Sequence, residues 1–296
     1  MPKLHFKTIG IVGTHRNPLV AKTVKHLLAL LGQWGVTGLL EQQTAETQGI
    51  GTDAGYPFSA LGEKCDLVVA VGGDGNLLHT ARILAKTKTP VIGVNRGQFG
   101  YLTDISPDAL EEQLLPILQG KVIKKHHFLI EAQIIRSGEV IEASNALNDI
   151  VLFPGPVAQL IEFELKIDGK FVYSQRSDGL IISTPTGSTA YALSAGGPII
   201  QPDLDVLLLV PKFPHTLTSR PIVISGDSQI ELIIGDYNKI SPRLSFDGHA
   251  AMDLKKGDVV KINKQPQPLT LIYPAEHDYY QNLRNKLGWS KSLVTL

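Results

Sequence analysis

The stretch that decides the fold is LVVAVGGDGNLLHTARILA, Leu67–Ala85. Its first five residues are all apolar, which is typical of a buried parallel strand. From Asn76 onward the apolar side chains recur at helical spacing, so this part predicts an amphipathic helix. Three glycines and one carboxylate, Asp74, stand between the two predicted elements. The stretch therefore predicts a strand, a glycine-rich turn and a helix in direct succession.

The glycine-rich turn offers a place for an anion. The N–H groups and the positive dipole end of a helix N-terminus suit a phosphate. Gly72, Gly73 and Gly75 let the backbone approach a ligand closely, because no Cβ intervenes. A carboxylate repels phosphate, so Asp74 makes sense if it handles a hydroxyl or a Mg²⁺-bound nucleotide. The turn thus indicates phosphoryl transfer onto an alcohol, with Asp74 as candidate catalytic base. The alternative is that Asp74 only caps the helix.

Predicted strands and helices alternate on both sides of this turn. The strands are Ile9–Val12, Val36–Leu40 and Pro90–Val94, and the helices are Pro18–Leu31 and Pro107–Leu118. A polar, glycine-containing loop is expected between Leu40 and Leu67. This alternation predicts a doubly wound parallel sheet. Beyond about Lys121, short strands with period two dominate, so the second part is predicted to be β-rich and mainly antiparallel. Asp168-Gly169 predicts a tight hairpin turn there.

Composition excludes several classes of protein. The 296 residues are 43% hydrophobic and 19% charged, which is ordinary for a globular chain. Lys+Arg and Asp+Glu both number 28, so no global field favours nucleic acid or an acidic membrane. The single cysteine, Cys65, excludes an intrachain disulfide and a thiolate zinc cluster. With no signal-like segment near the N-terminus, we expect a cytoplasmic protein.

A second informative motif is Thr184-Pro185-Thr186-Gly187-Ser188-Thr189-Ala190-Tyr191, which follows the apolar strand Leu180–Ile182. Small hydroxyl side chains and glycine offer hydrogen-bond donors to ribose or phosphate oxygens without bulk. Ser188 or Thr189 also suits the cap of a short helix. The alternative interpretation is a capped turn that links two packed elements.

Together the two motifs resemble the NAD kinase family. The matching residues are Gly72–Gly75, Asn148-Asp149, Ser177–Gly179, Thr184–Tyr191 with Gly196–Pro198, Arg220-Pro221 and the C-terminal helix that ends in Lys286–Trp289. The resemblance covers about Ile9 to Trp289. It implies transfer of the γ-phosphoryl group of ATP to the 2′-hydroxyl of the adenosine ribose of NAD, which gives NADP. It also implies a requirement for Mg²⁺ or another divalent cation, and a homo-oligomer.

The resemblance further implies two domains. The first is an α/β nucleotide-binding domain, residues 1–125 with 271–296, to which the chain end returns through a helix at Asp278–Leu287. The second is a β-rich dinucleotide-binding domain, residues 126–270. From the residues and the resemblance together, the predicted nucleotide-binding residues are Gly72, Gly73, Gly75, Asn148, Asp149, Arg176, Asp178, Thr186, Ser188, Thr189, Ala190 and Tyr191.

Several of these residues also have ordinary structural interpretations. Asn148 can read adenine or ribose through its donors and its acceptor, or can belong to a turn. Asp149 stands where the family usually has Glu, so its shorter side chain weakens a ribose contact or shifts it to water. Tyr191 stacks on a base or belongs to the core. Arg176 meets a phosphate or is a solvated surface side chain, and Asp178 lines the pocket or forms a turn.

Two weaker signals complete the candidate site. Phe246–His249 resembles a turn that approaches the active site in many family members, although Asp247 can also serve only to cap that turn. Gly10–Thr14 lacks the glycine spacing of a dehydrogenase dinucleotide fingerprint, and Arg16 beside it is a candidate for contact with ATP phosphates. The nine histidines show no zinc-ligand spacing.

Two other functions fit parts of the sequence. A lipid or sugar kinase shares the Asp74 turn, but leaves Thr184–Tyr191 and Asn148 without explanation. A non-catalytic sensor of NAD(P) explains the dinucleotide motifs, and it predicts tight binding without an ATP-dependent product.

Overall fold

The glycine-rich stretch forms the strand β4 (Leu67–Gly72) and the helix α4 (Asp74–Leu84), and β4 is the central strand of a seven-stranded, mostly parallel sheet. The structure is a computed structural model that describes residues 4–13, 17–50, 55–96, 100–155 and 159–289. The chain divides into two compact units. The first is Met1–His126 with Leu269–Leu296, and the second is His127–Pro268.

The first unit contains the seven-stranded sheet in the order β3-β2-β1-β4-β5-β19-β6. Besides β4, its strands are β1 (Thr8–Val12), β2 (Thr37–Glu41), β3 (Gly55–Tyr56), β5 (Val91–Asn95), β6 (Val122–His127) and β19 (Leu269–Pro274). Besides α4, its helices are α1 (Pro18–Gln33), α2 (Gln42–Gln48), α3 (Phe58–Lys64), α5 (Leu110–Leu118) and α7 (Tyr279–Leu287), with a 3₁₀ turn at Pro107–Ala109.

The short elements α2, β3 and α3 lie where the sequence predicts only a polar loop. Helix α2 is only seven residues long, so it is too short to display a helical period. It begins because the buried Glu41 carboxylate accepts hydrogen bonds from Gln43 N at 2.8 Å and Thr44 N at 2.7 Å. Glutamate is not among the preferred N-cap residues, so no start signal marked this helix. The prediction of a continuous loop was wrong here.

Strand β4 is buried at all six positions, as a continuously apolar strand in a parallel sheet should be. Helix α1 places Val20, Val24, Leu27 and Leu31 in the same apolar cluster as β4. Asn76, in the first turn of α4, is 2% exposed and donates from Nδ2 to Val12 O and Val71 O, both at 3.1 Å. This one amide therefore fastens α4 to the carboxyl ends of two neighbouring strands.

The second unit contains two six-stranded antiparallel sheets, ordered β11-β10-β15-β18-β7-β8 and β14-β13-β12-β9-β16-β17. The first sheet has β7 (Ile130–Arg136), β8 (Glu139–Ala146), β10 (Ile161–Ile167), β11 (Lys170–Ser177), β15 (Ile230–Ile234) and β18 (Val259–Lys264). The second has β9 (Asp149–Phe153), β12 (Gly179–Ser183), β13 (Val206–Lys212), β14 (Ile222–Ser225), β16 (Arg243–Phe246) and β17 (His249–Asp253). A 3₁₀ turn at Thr186–Thr189 precedes the short helix α6 (Tyr191–Ser194).

The two sheets share one apolar core. Every second residue of β10 and β15 is buried, so one face of each strand contributes to that core. Phe163 and Phe246, from different sheets, are both fully buried within it. Asp168 and Gly169 have positive φ angles of 51° and 73° between β10 and β11, which confirms the predicted hairpin turn.

Among the described residues, no helix is long and apolar enough to cross a membrane.

Replacing Asn76 by Leu is expected to lower the free energy of unfolding by about 2–6 kcal/mol. The substitution leaves two buried carbonyl oxygens without their amide donor, and each such loss costs about 1–3 kcal/mol. Urea denaturation, followed by a probe of the first unit, measures the change. Asn285→Ala, at an exposed position of α7, is the control and should change stability by less than about 0.5 kcal/mol. Equal stability of the two variants would contradict the role given to Asn76.

Candidate active site

The glycine turn at the end of β4 leaves backbone open to a ligand. Gly73 is the N-cap of α4 and Asp74 is the first residue of the helix. A Cβ built on Gly73 or Gly75 would have no heavy atom within 4 Å, whereas one on Gly72 would lie 3.0 Å from Asn76 Cβ. Gly72 therefore packs inward, and Gly73 and Gly75 present an unobstructed backbone surface at the helix N-terminus.

The carboxylate of Asp74 is anchored by a loop that follows β5. Oδ2 accepts a hydrogen bond from Tyr101 N at 2.7 Å. Oδ1 accepts from Leu102 N at 3.2 Å, and from Thr103 N at 3.2 Å and Thr103 Oγ1 at 3.1 Å. These donors fix the orientation of the side chain. The carboxylate therefore faces this loop, and Gly73 rather than Asp74 is the N-cap of the helix.

The same loop requires a glycine at position 100. A Cβ on Gly100 would lie 2.0 Å from Asp74 Oδ1 and 2.3 Å from Thr103 Oγ1. Real Cβ atoms do not approach other atoms so closely, and both neighbours belong to the anchored cluster. Burial, helped by the charge of Asp74, raises the pKa of the adjacent Tyr101 phenol. Residues 100–103 are thus packed tightly against Asp74.

Sequence reasoning missed this loop, although a signal for it exists. β4 and β5 are parallel neighbours, and their carboxyl ends pair at Gly72 and Asn95. Because ligand sites of parallel sheets lie at the carboxyl ends of the strands, residues shortly after β5 belong beside the glycine turn. The segment Gly100–Thr103 could have been nominated on that ground.

In the second unit, four of the predicted dinucleotide residues surround one cavity of about 260 Å³. Asn148, Asp149, Ala190 and Tyr191 line it together with Val151, Ser245, Asp247 and Gly248. The Asn148-Asp149 pair, the end of the Thr184–Tyr191 motif and the Asp247 turn therefore meet at one place, although they are far apart in the sequence.

Asp247 shapes this cavity from the turn between β16 and β17. Its backbone has a positive φ of 51°, which is unusual for a residue other than glycine. Its carboxylate accepts hydrogen bonds from the backbone N–H groups of Leu147 at 3.0 Å, Asn148 at 2.7 Å and Asp149 at 3.1 Å. Asp247 N donates in return to Asp149 O at 3.0 Å. The Asn148-Asp149 backbone is thereby held in one conformation.

Asp149 has a buried carboxyl group whose ionisation is unfavourable. The residue is 4% exposed, and burial raises its pKa to about 7, with a further contribution from the charge of Asp247. The ionised form is therefore costly in this structure. Hydrogen-bond donors from a ligand, such as ribose hydroxyls, would relieve that cost.

Asn148 contributes a second polar group to the same cavity whose hydrogen-bonding capacity is not satisfied. Its Oδ1 atom is buried and has no hydrogen-bond partner in the described part of the chain. A buried acceptor without a donor costs about 1–3 kcal/mol. A ligand N–H or O–H group would supply the missing donor.

The hydroxyl groups of the Thr184–Thr189 segment are used inside the protein. Ser188 Oγ donates to Pro185 O at 2.7 Å and accepts from Ile200 N at 2.9 Å. Thr186 Oγ1 hydrogen-bonds to His127 Nδ1 at 2.8 Å. Thr189 Oγ1 donates back to Thr186 O at 3.4 Å. The structure therefore gives these side chains the role of shaping the turn.

Glycine is required in the middle of that turn. A Cβ on Gly187 would lie 2.1 Å from Asn148 O, so the 3₁₀ turn and the Asn148-Asp149 segment are packed backbone to backbone. Ala190 and Tyr191 follow directly at the cavity wall. The Tyr191 ring is 44% exposed, and Lys212 Nζ lies 5.0 Å from its centroid. The ring is thus available to stack on a base.

Arg176 and Asp178 do not line this cavity. Arg176 is exposed on β11, and its Nε lies 4.0 Å from Glu162 Oε2. Asp178 is half-buried, and its N–H donates to Lys212 O at 3.0 Å. Arg16 and Thr14 lie outside the described residues.

These two sites define a class of protein. An open helix N-terminus with one anchored carboxylate suits a nucleotide phosphate beside an acceptor hydroxyl, and the second unit offers a polar cavity with an exposed aromatic ring. The arrangement is that of a phosphotransferase acting on a nucleotide.

Comparison with protein families gives two matches. The model of the ATP-NAD kinase N-terminal domain matches residues 9–122, and that of the ATP-NAD kinase C-terminal domain matches residues 147–273. The chain is 50% identical over 291 residues to the NAD kinase of Chromohalobacter salexigens, covering 97% of this chain and 98% of the relative. It is 51% identical over 287 residues to the NAD kinase of Hahella chejuensis, covering 97% of each.

Solved structures agree in fold. The crystal structure of yeast NADH kinase complexed with NADH superposes with a TM-score of 0.89 at 24% identity, covering 100% of this chain and 94% of the yeast chain. An NAD kinase from Archaeoglobus fulgidus in complex with ATP superposes with a TM-score of 0.71 at 28% identity, covering 95% of this chain and 97% of the archaeal one.

The chain therefore belongs to the ATP-NAD kinase family, whose members phosphorylate NAD to NADP with ATP. The predictions of the family, of the fold class and of a kinase that acts on NAD are confirmed. A lipid or sugar kinase and a non-catalytic sensor are not supported by these matches.

The buried carboxyl of Asp149 makes stability depend on pH. Its pKa is about 7 in the folded chain against an ordinary value of 3.8, so folding favours the protonated form. This contribution is present below about pH 4 and is lost as the pH rises to about 7. The free energy of unfolding of Asp149→Asn should lack that decrease, which amounts to at most about 4 kcal/mol. Urea denaturation at a series of pH values measures it.

Asp236→Asn, at an exposed position of the same unit, is the matched control and should keep the pH dependence of the parent chain. If Asp149→Asn and Asp236→Asn gave the same profile between pH 4 and pH 7, the unfavourable burial of Asp149 would be disproved.

Proposed function

We propose that this chain transfers the γ-phosphoryl group of ATP to the 2′-hydroxyl of the adenosine ribose of NAD. Membership in the ATP-NAD kinase family supports the substrates. The observation that carries the reaction is Asp74, a carboxylate anchored at the first residue of α4 between two glycines that face open space. We also propose that the protein is a cytoplasmic homo-oligomer. The family resemblance and the absence of disulfide-forming cysteine pairs support this part.

Asp74 removes the proton of the ribose hydroxyl. A hydroxyl is a poor nucleophile, and a positioned base helps to take its proton during attack on phosphorus. Each carboxylate oxygen has about two acceptor sites. Oδ1 accepts three hydrogen bonds, whereas Oδ2 accepts only that from Tyr101 N among the described residues. Oδ2 is therefore the oxygen that accepts the hydroxyl proton.

The glycine turn binds phosphate. Phosphoryl transfer depends mainly on alignment of the reactants and on neutralisation of charge. The open backbone at Gly73 and Gly75, at the positive end of α4, supplies N–H donors and a favourable dipole to phosphate oxygens. Gly72 holds the turn in place through its contact with Asn76.

A divalent cation binds at this site together with the substrate and not to the protein alone. The described residues include no group of three His, Cys, Asp or Glu side chains that could hold a metal ion. Mg²⁺ is commonly bound through one or two carboxylates together with substrate phosphates, which agrees with a single Asp74 beside a phosphate-binding turn. When bound, Mg²⁺ neutralises charge on the phosphates.

The cavity of the second unit binds the dinucleotide. Asn148 Oδ1 accepts a hydrogen bond from the ligand, and Asp149 accepts hydrogen bonds from ribose hydroxyls. The Tyr191 ring stacks on a base beside Ala190. Thr186, Ser188 and Thr189 act through the backbone that their hydroxyls hold in place. For Arg176 and Asp178, contact with the dinucleotide stays a prediction.

The first test is the reaction itself. The purified chain is incubated with NAD, ATP and Mg²⁺, and NADP is measured with an NADP-specific dehydrogenase. Product that requires all three components is expected. If NADP does not form although calorimetry detects NAD binding, ATP is not the donor, and polyphosphate replaces ATP in the next reaction. If neither donor gives NADP, the proposed function fails.

Asp74→Asn should lower kcat by about a thousandfold, because general-base catalysis contributes about 10²–10⁴. The Kd for NAD, measured by calorimetry, should change by less than about threefold. Thr103→Val is the companion variant, since it removes one hydrogen bond to Asp74 but keeps the carboxylate. It should cost less than about tenfold in kcat. Losses of equal size in the two variants would assign the effect to loop anchoring rather than to proton removal.

Gly75→Ala should lower kcat/KM for ATP by about tenfold or more, because the added methyl group obstructs the surface that faces the phosphates. The protein itself has room for the methyl group, so thermal stability should be kept or slightly raised. Gly32→Ala in α1 is the control, since its Cβ also meets nothing within 4 Å. It should leave kcat/KM unchanged. Full activity of Gly75→Ala would contradict phosphate binding at this turn.

A further inference from the structure

The segment Gly100–Asp104, here called the anchor loop, contacts helix α7 at both of its ends. Near its start, Lys286 Nζ lies 3.8 Å from the centroid of the Tyr101 ring. At its end, Asp104 Oδ1 accepts a hydrogen bond from Asn282 Nδ2 at 2.7 Å. Between these contacts the loop donates its N–H groups to Asp74. A helix from the far end of the chain therefore supports the loop that orients the candidate base.

The contact at Asp104 is largely buried. Asp104 Oδ2 is hydrogen-bonded to His277 Nδ1, and the two side chains are only 11% and 10% exposed. The His277 ring stacks on Tyr273 of β19, with a centroid distance of 4.2 Å and an interplanar angle of 29°. Since β19 is a strand of the central sheet, this end of the anchor loop is fixed to the sheet.

The contact at Tyr101 is of a different kind. Lys286 is partly buried, and burial lowers the pKa of its ammonium group, while the charge of Asp74 acts in the opposite direction. The ammonium therefore lies within electrostatic reach of the Asp74 carboxylate. A cation over an aromatic face is attracted to the ring, and the attraction is stronger when the cation is desolvated. Lys286 thus holds the Tyr101 ring, and with it the N–H group that donates to Asp74 Oδ2.

We propose that Lys286 is a positioning residue for phosphoryl transfer, which keeps the anchor loop on the Asp74 carboxylate through the Tyr101 ring. The proposal rests on the proposed role of Asp74 as base. The described contacts give Lys286 no carboxylate partner within ion-pair distance, so its interaction with the ring is its principal one. The neighbouring Arg284 instead pairs with Asp278 at 3.6 Å, on an exposed part of the same helix.

Lys286→Met should lower kcat by about 10–100-fold, since a misplacement of about 1 Å of a reacting group can cost this much. The KM for NAD should change by less than about threefold. Lys286→Arg keeps a cation over the ring and should recover most of the loss. Arg284→Met is the matched control on α7 and should keep the kcat of the parent enzyme. An unchanged kcat in Lys286→Met, or an equal loss in Arg284→Met, would overturn the proposal.

A double-mutant cycle separates positioning from a general loss of structure. Tyr101→Leu removes the ring, and its loss in kcat should not add to that of Lys286→Met, because both variants break the same contact. Hydrogen exchange provides a readout that does not depend on activity. The amides of residues 101–103 should exchange faster in Lys286→Met than in the parent chain or in Arg284→Met. Additive losses, or unchanged exchange, would overturn the proposal.

The outcome also distinguishes this proposal from the proposed function. If Asp74→Asn retained activity while Lys286→Met exposed the loop amides to exchange, the assignment of Asp74 as base would fail and the contact between α7 and the loop would stand. If Asp74→Asn were inactive and Lys286→Met fully active, the positioning role alone would fail.

Discussion

The organisation of the first unit depends on the hydrogen bonds that the Asp74 carboxylate accepts from residues 101–103. A lone carboxylate at a helix N-terminus would rotate freely and repel phosphate. Here it is held by charge-assisted hydrogen bonds, which are about twice as strong as neutral ones. The anchoring is possible because β4 and β5 are parallel neighbours, so both following segments emerge at the same edge of the sheet. The sheet topology thus fixes the orientation of this carboxylate.

The second unit also contains a carboxylate, that of Asp247, which is held by backbone N–H groups. Asp247 accepts hydrogen bonds from three backbone N–H groups of residues 147–149, which fix the orientation of its carboxylate. Among the described residues, the carboxyl group of Asp149 beside it receives no such set of backbone N–H donors, and its pKa is raised to about 7. Asp247 thus shapes the cavity, whereas the buried carboxyl group of Asp149 would gain from hydrogen-bond donors of a ligand. Asn148 Oδ1 is likewise buried without a hydrogen-bond partner among the described residues. The free-energy cost of leaving the cavity empty therefore arises at Asn148 and Asp149, the groups that would contact a ligand.

The fold class followed from the sequence because its strongest signals are local. A continuously apolar strand before Gly72 and period-two strands after Lys121 report burial directly. Asp74, Asn148 and Tyr191 were nominated from motifs, but the anchor loop was not. Its Tyr101, Leu102 and Thr103 contact Asp74 mainly through backbone N–H groups, which any residue except proline provides. Residue type therefore carries little information about that role, and only the pairing of β4 with β5 reveals it.

The Thr184–Tyr191 motif also shows that residue type alone does not define the role of a residue. Its hydroxyl residues suggested direct hydrogen bonds to a ligand, yet Ser188 and Thr186 use their side chains on Pro185, Ile200 and His127. Gly187 is required because the Asn148 carbonyl lies where its Cβ would be. Hydroxyl residues of a functional motif can thus serve to shape the backbone around a cavity. The residue types of the motif allow the 3₁₀ turn and the Asn148-Asp149 segment to pack closely against each other. Tyr191 then lies at the wall of the polar cavity beside them.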